Sequence, residues 1–192
     1  MREDLAYLGS LGPYVATSVL VFFGSAALAY SAASQDPQFA ATWLKEMEML
    51  KWIMSLEPWQ ILLVIFLKNT LACAVSILLG IAFGLVPLLV ATSNGILIGV
   101  VSYQVLSQKS VGYLLAGVVP HGIIELPVVL LCIAIGFRLG HRFFNALMGK
   151  HEDLKEEVRL ALHFLVWRAA PLLFLAAMIE TFITPLAISV MV

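Results

Sequence analysis

The sequence predicts an all-α fold, a polytopic bundle of about five transmembrane helices that forms one membrane domain over residues 1–192. Two observations of composition support this: 61% of the residues are hydrophobic and only 12% are charged. A soluble domain carries roughly 25% charged residues and could not bury so much apolar surface. A third observation is that the apolar residues gather in runs long enough to cross a bilayer. The lipid bilayer is therefore the first expected partner. The net charge of −1 gives no reason to expect nucleic acid.

The apolar runs place the spans, because a bilayer core requires about 20 residues of helix. The first run is too long for the apolar region of a signal peptide and is expected to be retained. The second span is expected to stop before Pro87, and the third to begin at the capping sequence Thr92-Ser93-Asn94. The expected spans are residues 13–33, 59–86, 92–107, 111–139 and 165–190.

Two connections are predicted to be helical without crossing the membrane. Residues 38–56 place Phe39, Trp43 and Met47 at helical spacing opposite charged residues, which is typical of an amphipathic helix at the interface. A solvated connector is the alternative. Residues 141–164 mix acidic and basic side chains and predict a charged helix outside the membrane. Because this connection is rich in Lys and Arg, we expect it in the cytoplasm, together with the N-terminus, in a protein of the cell membrane.

The fourth apolar segment contains residues that interrupt helices. Pro120, Gly122 and Pro127 lie within it. Proline removes a backbone donor and is best tolerated in the first turn of a helix. The sequence therefore predicts a broken fourth helix, with a short half before Pro120. If residues 111–119 re-enter the membrane without crossing it, the number of spans changes.

Polar side chains recur inside the apolar spans, where they are costly and indicate function. They are Lys68, Asn69, Asn94, His121, Glu125, Glu180, Thr181 and Thr184. Lys68 lies about ten residues into its span, hence about 14 Å deep. Similar counting places His121, Glu125 and Glu180 in the same layer. Lys68 is expected to extend toward the membrane surface, and Asn94 is expected to enter from the other side.

His121 and Glu125 are four residues apart and share one helix face. An imidazole and a carboxylate at this spacing can bind zinc or another divalent metal, and Glu180 could complete the ligand set. Two alternatives remain open. The same groups could form a satisfied polar cluster that locks the bundle, with a carboxylate protonated or paired with Lys68. They could also form a proton relay.

Small residues predict close helix contacts. Gly95 and Gly99 have the small-xxx-small spacing that lets two helix backbones approach, either within the subunit or at a dimer face. A homo-oligomer, most simply a dimer, is expected. Cys73 and Cys132 lie in apolar runs and are expected to be small buried side chains without a disulfide.

Four elements resemble the stage II sporulation protein M family over about residues 60–190. They are Lys68-Asn69, Asn94–Gly99, Pro120–Leu126 and Ile179–Pro185. The family often has Asn-Asn where this chain has Lys68-Asn69. The resemblance implies a polytopic membrane protein of a bacterium or archaeon. In spore-forming bacteria it implies a scaffold that recruits peptidoglycan-remodelling partners during engulfment, and it implies no catalytic residues.

Three functions remain open at this point. The first is a scaffold or assembly factor that contacts other membrane proteins of the cell envelope. The absence of Gly-x-Ser-x-Gly and His-Glu-x-x-His motifs argues in its favour and against an enzyme. The second is a small homodimeric transporter or channel-like protein, which the broken helix would suit. The third is a metal-binding intramembrane protein, or a hydrolase, built on His121, Glu125 and Glu180.

Overall fold

The structure is a computed structural model that describes residues 7, 9–48 and 55–190. The described residues are helical almost throughout and include no strand. Five helices are long and apolar enough to cross a membrane. The predicted all-α polytopic bundle is therefore confirmed.

The helices follow one another with short connections. They are α1 (Gly12–Gln35), α2 (Pro37–Glu48), α3 (Pro58–Leu78), α4 (Leu85–Gln108), α5 (Val111–Leu147) and α6 (Leu154–Phe164), then α7 (Ala170–Met178) and α8 (Thr184–Ser189). Two π-helical turns, Leu165–Ala169 and Ile179–Ile183, join α6, α7 and α8 into one continuous rod.

Side chains cap the starts of several helices. Gln60 accepts a hydrogen bond from the backbone N–H of Glu57, at the start of α3, at 2.9 Å. Ser110 accepts from the N–H of Tyr113 at the start of α5. Asp153 accepts from the N–H of Glu156 at the start of α6. Each bond satisfies a backbone group that a helix terminus leaves without an intrahelical partner.

The turn between α3 and α4 corrects two predicted boundaries. The chain leaves the helical conformation after Ile81, and Phe83 and Gly84 adopt left-handed φ angles of 54° and 75°. Helix α4 then begins at Leu85, so Pro87 lies in its first turn, where a missing N–H is harmless. The predicted stop at Pro87 and start at Thr92 were wrong. Asn94 does not cap a helix; it lies inside α4 and donates to the carbonyl of Val90 at 2.8 Å.

Helix α5 is continuous through both prolines, so the predicted break at Pro120 was wrong. Residues 111–119 belong to this helix. Neighbouring helices and local adjustments can satisfy the backbone groups that a proline frees inside a membrane. Its 37 residues extend roughly 55 Å, well beyond a hydrocarbon core of about 30 Å. Helix α5 is therefore longer than a single perpendicular crossing requires.

The charged connection also differs from its prediction. Residues 141–147 belong to α5, and α6 begins only at Leu154, so 141–164 is not a single helix. Charge composition alone does not reveal where one helix ends and the next begins. Of the predicted amphipathic helix 38–56, the structure contains α2 to Glu48; residues 49–54 lie outside the described part of the chain.

Glycines bring the helix backbones together within the chain. A methyl group at Gly95 would overlap Ser25 and the carbonyl of Phe22, and one at Gly99 would overlap the carbonyl of Ala26. The surfaces of Gly95 and Gly99 are thus used inside the subunit, between α1 and α4. The helices also carry exposed large apolar side chains that do not line the central cavity, such as Leu20 and Leu67, as a lipid-facing surface requires.

Candidate functional site

A cavity of about 610 Å³ lies among the spans. Helices α1, α3, α4 and α5 and the π-turn at residues 179–183 all contribute to its lining. Most of the lining is apolar. The polar side chains that reach it are Lys68, Asn69, Asn94, His121, Glu125 and Glu180.

Three of these residues present ligand atoms to one point. One ligand atom each from His121, Glu125 and Glu180 lies within 4.8 Å of the others. The first two share a face of α5, and the π-turn places Glu180 opposite them. In a tetrahedral zinc site with ligand atoms about 2.0–2.2 Å from the ion, the ligand atoms lie about 3.3–3.6 Å apart. Side-chain rotations that shorten the separations in this cluster by about 1 Å would bring all three onto one ion.

The Glu125 carboxylate is poorly satisfied by the described residues. Its Oε2 atom is buried and has no hydrogen-bond partner there. The Asn69 side chain and the charges of Lys68 and Glu180 also act on the Glu125 carboxylate. A buried carboxylate oxygen without a partner is costly, and a bound cation would satisfy it.

His121 has a neighbour that can fix its orientation. The buried hydroxyl of Thr184 lies 3.5 Å from Nδ1 of His121 and 3.4 Å from the carbonyl of Ile179. If Nδ1–H donates to this hydroxyl, Nε2 carries the lone pair that binds a metal. Outer partners of this kind set the tautomer of metal-binding histidines. The Thr181 hydroxyl beside Glu180 is buried without a partner among the described residues.

The structure brings most of the predicted site residues together and corrects one expectation. Asn94 reaches the cavity because α4 starts earlier than predicted, which places it well inside the span. Lys68 also lines the cavity, and its side chain is exposed. Gly122 and Pro127 form part of the wall, whereas Pro120 is not among the lining residues.

A second polar cluster, which was not predicted from the sequence, lies toward the C-terminal end of α5. Arg138 Nε lies 3.0 Å from Glu157 Oε1, and Arg142 lies 3.1 Å from Glu157 Oε2. The Tyr7 hydroxyl donates to Glu157 at 2.9 Å, and Arg138 also donates to Ser10. Glu157 is 1% exposed. The cluster thus connects the N-terminal segment and α5 to α6. In the sequence, it is indicated only by two opposite charges, Arg138 and Glu157, at the borders of two apolar runs.

Tyr7 is buried within this cluster. Burial raises the pKa of the Tyr7 phenol well above its usual range, and the adjacent Glu157 carboxylate raises that pKa further. The Arg138 guanidinium also stacks 4.9 Å from the centre of the Tyr7 ring. These contacts hold the buried ion pair in one arrangement.

Fold and site together define a class: a polytopic helical membrane protein with a polar, metal-ligand-type cluster inside its bundle. The chain belongs to the Stage II sporulation protein M family, whose model matches residues 17–185. It is also similar to an uncharacterized protein of Methanocaldococcus jannaschii, with 30% identity over 127 residues that make up 62% of this chain and 68% of the relative. No solved structure matches it.

Proposed function

We propose that this protein binds a divalent cation inside the membrane, with His121, Glu125 and Glu180 as its ligands. The observation that carries the proposal is the convergence of three ligand atoms within 4.8 Å from two separate helical segments. One imidazole and two carboxylates form an N/O ligand set of the kind that zinc accepts.

The charge of the site supports the same conclusion. Glu125 and Glu180 carry two negative charges when ionised, and Lys68 offers one positive charge at the cavity. Like carboxylates held together in a weakly polar environment are costly unless a proton or a cation compensates them. A divalent ion compensates both carboxylates at once and also satisfies the free oxygen of Glu125.

The cation site has room for more than its three protein ligands. The ligand atoms border a cavity of about 610 Å³, and a fourth coordination position would point into it. Three protein ligands with an open fourth position are characteristic of zinc sites that exchange a bound water or ligand, whereas structural zinc sites are closed by four. We infer that this site presents the ion to a ligand.

Elemental analysis tests the cation proposal. Protein purified in a mild detergent, stripped with a chelator and dialysed against zinc should retain one zinc per chain. Glu180→Gln and His121→Ala should weaken zinc binding by more than about 100-fold, since outer partners alone contribute about 10- to 100-fold. The matched control is Glu156→Gln, which removes an exposed carboxylate paired with Arg159 far from the cavity. Wild-type protein without retained zinc would overturn the proposal.

A scaffold or assembly role in the cell envelope is the second candidate. It is supported by membership of the Stage II sporulation protein M family over residues 17–185, a range that contains the whole cavity. The test is quantitative crosslinking in intact cells. With this protein as the bait, specific envelope proteins should be recovered in larger amounts than with an unrelated membrane protein of similar size as the control bait. His121→Ala should reduce that enrichment. Equal recovery of envelope proteins with the two baits would reject the scaffold role. The transporter alternative loses its main support, because α5 is not broken.

We further propose a location in the cell membrane of a bacterium or archaeon, with the N-terminus and the α5–α6 connection in the cytoplasm and the chain as a homodimer. The Lys and Arg of that connection support the orientation. A cysteine introduced at Lys150 should react with a membrane-impermeant maleimide only after lysis, because we place this connection in the cytoplasm. Cys73 and Cys132 are buried and should add little background labelling. Labelling in intact cells would show that the orientation is the opposite one, and a monomeric mass by light scattering would reject the dimer.

A further inference from the structure

The lining of the central cavity combines two kinds of side chain. The ligand atoms of His121, Glu125 and Glu180 lie within 4.8 Å of one another, and Lys68 also lines the cavity. Most of the other lining residues carry hydrocarbon side chains, among them Phe22, Phe23, Ile65, Leu97, Ile98 and Val101. The cavity volume of about 610 Å³ lies within the range of about 300–1,000 Å³ that is typical of small-molecule sites. A mostly apolar lining with one convergent group of polar ligand atoms matches an amphiphile better than a small polar solute.

Charge balance indicates the sign of the polar end of such a ligand. The two carboxylates and Lys68 sum to a single negative charge. A divalent cation at the three ligands reverses that sum to a single positive charge. Residual charge in a membrane interior is costly, so the loaded site favours an anion. The Lys68 ammonium group and the Asn69 and Asn94 amides supply hydrogen-bond donors at the same cavity.

We propose that the cavity binds an anionic lipid, whose carboxylate or phosphate group occupies the open coordination position of the cation beside Lys68 and whose alkyl chain lies along the apolar wall. This inference rests on the proposed cation site. Lys68 contributes the charge that an anion recognises, and the cation contributes the coordination bond. The apolar wall explains why the ligand is a lipid and not a free anion.

Native mass spectrometry of the detergent-solubilised chain can test cation binding and lipid binding separately, because zinc and lipid add different masses. Zinc-loaded protein is titrated with dodecyl phosphate. Inorganic phosphate tests the head group alone, and dodecanol tests the chain alone. We expect one dodecyl phosphate per zinc-loaded chain, and binding of inorganic phosphate or dodecanol weaker by about tenfold or more. Chelator-stripped protein should likewise bind dodecyl phosphate at least about tenfold more weakly than zinc-loaded protein.

Lys68→Met keeps the apolar stem and removes the charge. It should retain zinc and lose dodecyl phosphate affinity by about tenfold or more. Lys155→Met is the matched control, because that exposed lysine lies outside the cavity. Lys155→Met should form the zinc adduct and the dodecyl phosphate adduct to the same extent as the wild type.

The two proposals fail in distinguishable ways. Zinc adducts without dodecyl phosphate adducts would overturn the lipid inference and leave the cation site standing. Absence of zinc adducts would overturn both. Equal binding of dodecyl phosphate to metal-free protein or to Lys68→Met would also overturn the inference, because the apolar wall alone would then account for binding. If inorganic phosphate binds as tightly as dodecyl phosphate, the ligand is not a lipid.

Discussion

A carboxylate oxygen of Glu125, on α5, lies within 4.8 Å of a carboxylate oxygen of Glu180, on the π-turn between α7 and α8. His121 completes the group at the same separation. Two carboxylates at this distance in an apolar bundle require compensation, which a shared cation supplies. The relationship thus links the geometry of two helical segments to the proposed chemistry of the cavity.

Thr184→Val should weaken zinc binding about 10- to 100-fold, as loss of an outer hydrogen-bond partner of a metal-binding histidine does. The substitution keeps the shape of the side chain and removes the hydroxyl near Nδ1 of His121. Thr184→Ser keeps the hydroxyl and should bind zinc nearly as well as the wild type. Competition with a zinc-chelating dye measures both affinities. Equal affinity of the Val and Ser variants would show that Thr184 does not orient the imidazole.

Glu157→Gln should destabilise the protein by about 3–5 kcal/mol, because it leaves the buried Arg138 without its partner charge. Thermal unfolding in detergent provides the measurement. Glu156→Gln, one residue earlier and exposed, is the control and should cause little or no change. If the two variants melt alike, the Arg138–Glu157 pair does not hold α5 to α6.

The stability of the protein should fall as the pH rises above about 10, the ordinary pKa of tyrosine, in a way that depends on Tyr7. The folded-state pKa of Tyr7 is raised, so folding favours the neutral phenol. Its contribution is fully present below the unfolded pKa and is lost as the pH increases past it. Tyr7→Phe cannot ionise and should show a smaller loss between pH 9 and pH 11, a window about one unit on either side of that pKa. Parallel pH profiles of melting temperature would contradict this account.

Gly99→Ala should destabilise the bundle by about 1–3 kcal/mol through overpacking. The added methyl group would overlap the backbone carbonyl of Ala26 in α1, which cannot move aside as a flexible side chain could. Gly24→Ala is the matched control, because a methyl group there meets nothing within 4 Å. A Gly99→Ala variant as stable as Gly24→Ala would mean that α1 and α4 are not packed as closely as described.

The sequence was sufficient for the features that depend on composition and local spacing. Hydropathy predicted the five spans, and the four-residue spacing predicted that His121 and Glu125 share a face. The continuity of α5 through Pro120 could not be predicted in this way, because it depends on neighbouring helices that satisfy the freed backbone groups. The position of Asn94 was misjudged because the real break, at Phe83 and Gly84, carries a weaker sequence signal than Pro87.

The polar cluster around Glu157 was missed for a related reason. Arg138 and Glu157 lie at the borders of apolar runs, where a sequence suggests solvated charges. The close approach of the end of α5 and of Tyr7 to the start of α6 makes Glu157 a buried group. Long-range packing of this kind leaves no periodicity in either segment.

The most direct test of the cation site is zinc K-edge X-ray absorption of the zinc-loaded protein. We expect a first shell of nitrogen and oxygen atoms at about 2.0–2.2 Å, with the outer scattering of one imidazole that disappears in His121→Ala. A first shell that contains sulfur at about 2.3 Å would instead place the metal on Cys73 and Cys132 and contradict the account. A spectrum without imidazole scattering would contradict it as well.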